Sequence, residues 1–326
     1  MRAQREHGKE PLEALAGIIH PPVSLLLSIF ADDILPIFAI AGVGYLLARH
    51  FHASVETVSK VSFNALSPCL VFDQLVTSNI TGYEFGRMAL FCVLLTAAMG
   101  LAARLAATAL RLDRQTLSSF LLVVMFSNSG NYALPVVLFA FGREALGYAS
   151  VYFVTSAILV YTVGVFVAAS GTPGVRHAFM AVFRVPALYA VVAAAVVMLT
   201  RVELPPAVIR PISMLSDAAL PIMLIVMGMQ LERAVKPKHP MAVASAVALS
   251  LAVSPFVGLG LSILLGLSGP ARQAAIILSA MPAAVVTTVI ALEFDLDPNF
   301  ATSAVFASTI LSPFSLVLII AYLQRF

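Results

Sequence analysis

Runs of about twenty apolar residues follow one another almost without pause along this chain, and that recurrence constrains its fold more than any single motif. A helix needs about twenty such residues to cross the hydrocarbon of a bilayer, where backbone N–H and C=O groups must be paired within the segment. By that rule the spans fall at about 33–50, 58–79, 85–108, 117–141, 147–170, 185–200, 207–231, 241–266, 271–293 and 300–323. Composition agrees. Of 326 residues, 60% are hydrophobic and 11% charged, with a mean hydropathy of +0.99, whereas soluble domains carry roughly 25% charged residues. The expected class is an all-α membrane protein of ten transmembrane helices.

Several functions are set aside at once. The net charge of +3 is spread over short loops with no basic stripe, so nucleic acid is not an expected partner; the expected surroundings are a lipid bilayer. Cys69 and Cys92 fall inside spans and read as small apolar residues, without a disulfide or metal role. All six His lie in tails or loops. No nucleophile elbow or phosphate-cradling Gly loop is present, so no catalytic residue and no cofactor is assigned, and the chain does not read as an enzyme.

Residues 1–32 mix Arg2, Arg5 and Lys9 with Glu6, Glu10 and Glu13, then meet Pro21-Pro22 and Asp32-Asp33. They read as a disordered or interfacial tail, not a cleaved signal. The longest connection, 171–184, divides the remainder into 33–170 and 185–326, five spans each. Five is odd, so duplicated halves must be inverted relative to each other. Weak echoes support duplication: Leu66-Ser67-Pro68 with Leu215-Ser216-Asp217, and Phe141, Ser150 and Phe153 with Phe294, Ser303 and Phe306. Orientation follows loop Lys and Arg. With the N-terminus outside, inner loops hold Arg49, Lys60, Arg104, Arg111, Arg114, Arg176, Arg184, Arg233, Lys236 and Lys238; outer loops and the C-terminus hold Arg87, Arg143, Arg201, Arg210, Arg272 and Arg325. That balance favours both termini on the non-cytoplasmic side.

The fourth span is interrupted by Asn128-Ser129-Gly130-Asn131-Tyr132-Ala133-Leu134-Pro135. A membrane helix unwinds only where it faces protein or a watery cavity, and secondary transporters build midplane binding sites from such breaks. Asn128 and Asn131 share one face if the turn is helical. If it is unwound, their amides and the freed backbone donors point into a cavity, and a half-helix starting near Pro135 aims its positive end at an anion. The alternative makes both Asn interhelical glue. Span nine carries the matching disturbance: Met281-Pro282 removes a mid-span donor, with Thr287 and Thr288 following. One broken helix per half is the pattern of two broken helices crossing at a pseudo-twofold axis.

Ionisable groups within spans are few. A charge at mid-bilayer costs about 2.5–3.5 kcal/mol, so Asp73 in span two and Asp217 in the middle of span seven each need a partner, water or a proton. They are the candidates for proton coupling; the bland alternative is a hydrogen-bonded carboxyl pinning a kink. Asn64 and Ser67, beside Pro68, mark a third kinked polar place that either lines the cavity or packs.

The 128–135 stretch resembles the broken fourth helix of the auxin efflux carrier family, including its bacterial members. Leu66-Ser67-Pro68-Cys69-Leu70-Val71-Phe72 is similar to that family's second helix, and Ala280-Met281-Pro282 to its ninth. The resemblance implies two inverted five-helix repeats, a fold related to bile acid–sodium symporters, and helices four and nine crossing at the substrate site. It also implies elevator-like alternating access and an organic anion as substrate. By position Asn128, Gly130, Asn131, Pro135 and Pro282 take the crossover role, with Ser129, Met281, Thr287, Asn64 and Ser67 as further lining residues. The plant carriers' long central loop is reduced here to about a dozen residues, so its regulation does not carry over.

The expected function is a secondary active transporter moving a small organic anion, a carboxylate, across a bacterial inner membrane. Its coupling ion is a proton or sodium. A sodium-coupled symporter and a non-translocating membrane receptor are the competing readings. The sequence does not set oligomeric state, a homodimer included.

Overall fold

A computed structural model describes residues 22–78, 80–169, 185–232 and 239–325. Among them every regular element is helical, and β structure is confined to one isolated bridge. Helix α1 is Val23–Phe51. Helix α2 comprises Val55–Val61, a five-residue π turn at Ser62–Leu66, and Ser67–Thr77. Helix α3 is Gly82–Ala109 and α4 is Arg114–Met125. The chain resumes helix over Ala133–Ala168, but Gly142 (φ 79°, ψ −171°) divides that run into α5 (133–141) and α6 (143–168). No residue with a Cβ adopts that backbone conformation without strain. Helix α7 is Pro186–Thr200, α8 Pro206–Leu231 and α9 Pro240–Leu264. Helices α10, Gly269–Ser279, and α11, Val286–Glu293, flank a second interruption, and α12 is Pro298–Leu323.

The starts are chemically marked. Thr81 and Glu84 form a reciprocal capping box at α3. Asp113 accepts from the Gln115 and Thr116 amides at α4, and Asp297 accepts from the Phe300 amide at α12. Each satisfies donors that the first turn cannot. Proline opens α7, α8, α9 and α12, where a missing N–H removes no helical bond.

Six helical runs are long and apolar enough to cross a bilayer. Their outer faces stay apolar: Leu46, Leu101, Leu105, Phe256, Leu264 and Phe314 are all exposed. A water-soluble bundle places polar residues on such faces; these suit lipid.

Packing sorts the helices into two groups. In the first, α8 lies along α1, and α2 packs on α7 and α8. The α1–α8 approach is backbone to backbone. A Cβ on Gly44 would collide with the Ile225 carbonyl, and one on Gly228 with the Ala41 carbonyl; small residues are what permit such contact between membrane helices. In the second group α3, α4, α10 and α11 pack on the α5–α6 run, while α9 and α12 pack on α4, on α10 and on each other. The groups meet where α1, α2 and α8 touch the α5–α6 run and where α1 touches α12.

One expectation is corrected. The tail was expected to reach residue 32, yet α1 begins at Val23. Pro22 acts as its N-cap residue, and Asp32-Asp33 sit in a π turn at Phe30–Ile34, where Asp32 is exposed and Asp33 half-buried. Asp32-Asp33 do not break the helix. The tail before Pro22 and the central connection 171–184 lie outside the described residues.

Candidate functional site

The two interruptions pair with each other. After Met125 the chain turns extended at Phe126 (φ −118°, ψ 103°), and Ser127 faces Ala283 in an antiparallel bridge. The Asn128 amide donates to the Pro282 carbonyl at 2.7 Å, and the Ala284 amide donates to the Phe126 carbonyl at 2.9 Å. Unwound backbone within an apolar bundle must find partners, and here each break supplies the other's. Side chains add two ties: the Ser127 hydroxyl donates to the Leu278 carbonyl at 3.1 Å, and the Ala283 amide donates to Ser308 Oγ at 3.2 Å.

Around this crossing the chain reverses electrostatic sense. Helices α4 and α10 end there, while α5 and α11 begin there, so two positive helix ends lie beside two negative ones. Asn128 and Ser129 are buried and Asn131 half-buried. Among the described residues none of these three side chains has a hydrogen-bond partner. Interhelical glue predicts such partners. Gly130 backs onto Phe153, whose ring carbon would stand 2.8 Å from an added Cβ. Pro135 occupies the first turn of α5, where it breaks no bond. Met281 is buried beside Pro282, and the Thr287 hydroxyl donates to the Ala284 carbonyl at 2.6 Å, fastening the start of α11.

Tyr132 was not singled out in the sequence, yet it anchors the site. Fully buried, it meets the Phe38 ring of α1 edge-on at 5.9 Å, and its hydroxyl lies 3.1 Å from Ser312 Oγ of α12. It therefore joins the break to both packing groups. Ser127, Ser308 and Ser312 were equally silent, because a lone serine in an apolar span carries no positional signal.

The remaining sequence candidates are placed elsewhere. Asn64 is exposed and donates to the Lys60 carbonyl of its own helix at 2.8 Å; Ser67 is buried and donates to the Phe63 carbonyl at 2.9 Å. Both serve the π turn of α2, and neither has a described bond to either break. Asp73 is buried, 6% exposed, and accepts from Ser213 Oγ at 3.0 Å and Ser216 Oγ at 3.1 Å, both on α8. Asp217 lies within the apolar helix Pro206–Leu231, as expected, on its exposed face. Its side chain is 70% exposed and lies 3.8 Å from Arg143, itself 73% exposed. Adjacent helix positions point about 100° apart, so Ser216 faces α2 and Asp217 faces outward. A cleft of about 170 Å³ lies beside this pair, between α1, α2 and α8 on one wall and the α5–α6 run on the other.

The chain matches the family described as membrane transport protein over residues 29–178 and again over 175–320. It is also 29% identical over 294 residues to an uncharacterized transporter of Methanothermobacter thermautotrophicus (strain Delta H), covering 88% of this chain and 96% of that relative.

Proposed function

The chain belongs to the membrane transport protein family, the auxin efflux carriers of the sequence resemblance, and from that premise we propose a secondary active transporter for a small organic carboxylate. It is a multi-pass membrane protein whose substrate binds where the two interruptions pair. The observation that carries the reading is the unpartnered set Asn128, Ser129 and Asn131 beside the starting turns of α5 and α11. Amide donors and positive helix ends complement a carboxylate, and no net cation is required.

The proposed architecture is ten spans in two inverted repeats, with α4–α5 and α10–α11 as the fourth and ninth. Matched contacts support it. α1 with α8 corresponds to α7 with α2, α3 with α4 to α9 with α10, and α3 with the α5–α6 run to α9 with α12. The first packing group serves as scaffold and the second as the moving body, which carries the crossing in an elevator-type exchange. Asp73 is the proton-coupling residue we favour over Asp217, because it is buried between scaffold helices while Asp217 is exposed. The proposed location is a bacterial plasma membrane, with both termini on the non-cytoplasmic side.

Purified protein is first screened by thermal shift against mono- and dicarboxylates, since a bound ligand stabilises by mass action. Counterflow of a labelled hit, or of labelled malonate, in proteoliposomes is the decisive measurement. Exchange by the wild type and its loss in Asn131→Ala, with folded yield retained, are expected. Binding without exchange would leave a receptor, and normal exchange by Asn131→Ala would remove that residue from the site. Replacing sodium with choline at fixed membrane potential should leave uptake unchanged; loss of uptake would assign sodium as the coupling ion.

A further inference from the structure

The cleft at the Arg143 end of the molecule has a chemistry of its own. Its wall includes Gln74 of α2, Ser216, Asp217 and Leu220 of α8, and Leu138 and Arg143 of the opposite group. Gln74 is only 4% exposed, and among the described residues its amide has no hydrogen-bond partner. Its amide therefore offers an uncommitted donor and acceptor to whatever enters the cleft it lines. At the mouth stand one cation and one anion, Arg143 and Asp217, held 3.8 Å apart across the two packing groups. An exposed pair of this kind contributes little to stability and is readily exchanged. A second carboxylate, Asp73, lies behind Ser216 at 3.1 Å.

We propose that this cleft binds a small zwitterion, an α-amino acid with an unbranched apolar side chain. The ligand carboxylate takes the Arg143 guanidinium, whose planar fork matches it. The ligand ammonium takes Asp217, on the side where Asp73 adds negative potential. The Gln74 amide accepts from the ammonium or donates to the carboxylate, and the side chain lies along Leu138 and Leu220. One intramolecular ion pair is exchanged for two intermolecular ones, without adding net charge to the cleft. A simple carboxylate would leave Asp217 unpaired beside a third negative group, and a simple amine would leave Arg143 unpaired.

The site is separate from the crossing. The whole of α5 (133–141), about 12 Å of helix at 1.5 Å per residue, and the Gly142 break stand between the crossing and Arg143, so one small ligand does not reach from the unpartnered Asn side chains to that guanidinium. The inference stands on the cleft alone and does not depend on the transport reading.

The test is calorimetric titration of the purified full chain with L-norleucine, hexanoate and hexylamine, three probes sharing a chain length and differing in charge. Saturable norleucine binding is expected, with hexanoate and hexylamine each at least tenfold weaker. Arg143→Gln and Asp217→Asn should each weaken norleucine at least tenfold while keeping wild-type helicity and dispersity. Asn131→Ala should bind it normally. The proposal is overturned if folded wild type shows no saturable norleucine binding, if hexanoate binds as tightly, if both charge variants bind unchanged, or if Asn131→Ala loses binding. Arg143-dependent norleucine binding with no counterflow would keep this site and sink the transport reading instead.

Discussion

Ser216 on α8 turns its hydroxyl to the Asp73 carboxylate on α2 at 3.1 Å, while the side chain of the next residue, Asp217, points outward and is exposed. Ser213, one turn earlier, takes the other carboxylate oxygen at 3.0 Å. Two donors and, among the described residues, no cation hold Asp73 between two helices of the same packing group. Asp73→Asn keeps an acceptor oxygen for one serine, so folded yield should stay near wild type. Counterflow should persist in that variant, while accumulation driven by an imposed pH gradient should be lost. Asp73→Ala removes both acceptors and should cost about 1 kcal/mol of stability, read as a lowered thermal midpoint.

Ser308 holds the second interruption open by accepting from the Ala283 amide at 3.2 Å. Ser308→Ala leaves that buried N–H without its partner, a penalty of about 1–3 kcal/mol. The thermal midpoint should fall and the apparent affinity for substrate should weaken. Ser308→Thr retains the hydroxyl oxygen and should restore most of both. Equal effects from the two substitutions would show that bulk, not the hydrogen bond, matters there.

Two glycines on α1, one exposed and one at the interface, separate intrinsic helix propensity from packing. Gly44 faces α8, where an added side chain meets the Ile225 carbonyl, whereas an added Cβ at Gly42 meets nothing within 4 Å. Gly42→Ala should therefore stabilise α1 by about 0.5–1 kcal/mol. Gly44→Val should cost about 3 kcal/mol or more, since the obstacle is backbone that cannot rotate away. Melting curves of the two variants in one detergent decide the matter.

Acid should loosen the start of α4. Asp113, outside the spans, is held below the ordinary carboxyl range chiefly by the Thr116 amide and then by the Thr116 hydroxyl, with the Gln115 amide adding to them. A depressed carboxyl stabilises the fold above its unfolded value, about 3.9, and that contribution disappears as pH falls through the lower folded value. Wild-type melting temperature should drop on acidification below about pH 4. Asp113→Asn should show a flatter response there, and Asp113→Ala should lose about 1 kcal/mol at neutral pH.

Much of this molecule is legible in its residues, for reasons that can be named. The interruption at 128–135 announces itself because Asn, Gly and Pro are poor helix formers concentrated at one depth. Pro282 marks its counterpart for the same reason. The pairing between them is not legible, because Ser127 and Ala283 meet through main chain and any residue supplies that. The outward face of Asp217 was not legible, because a lone carboxylate in a hydropathy window shows depth but not helical phase. The start of α1 was hidden by Pro21-Pro22 and Asp32-Asp33, residues that signal breaks in soluble chains. In the structure Pro22 stands at the first turn, and exposed Asp32 and half-buried Asp33 fit a widened turn. Gln74 and Arg143 escaped notice because their significance is a shared cleft, which linear order does not reveal.

The hydrogen bonds from Asn128 to Pro282 and from Ala284 to Phe126 close a small loop of main chain between segments more than 150 positions apart. Any displacement that leaves those bonds intact must carry both interruptions together, as one rigid cradle. In the proposed exchange, grip and travel then become separable traits: side chains around the cradle would set what it holds, and contacts with the scaffold would set how far and how fast it rides.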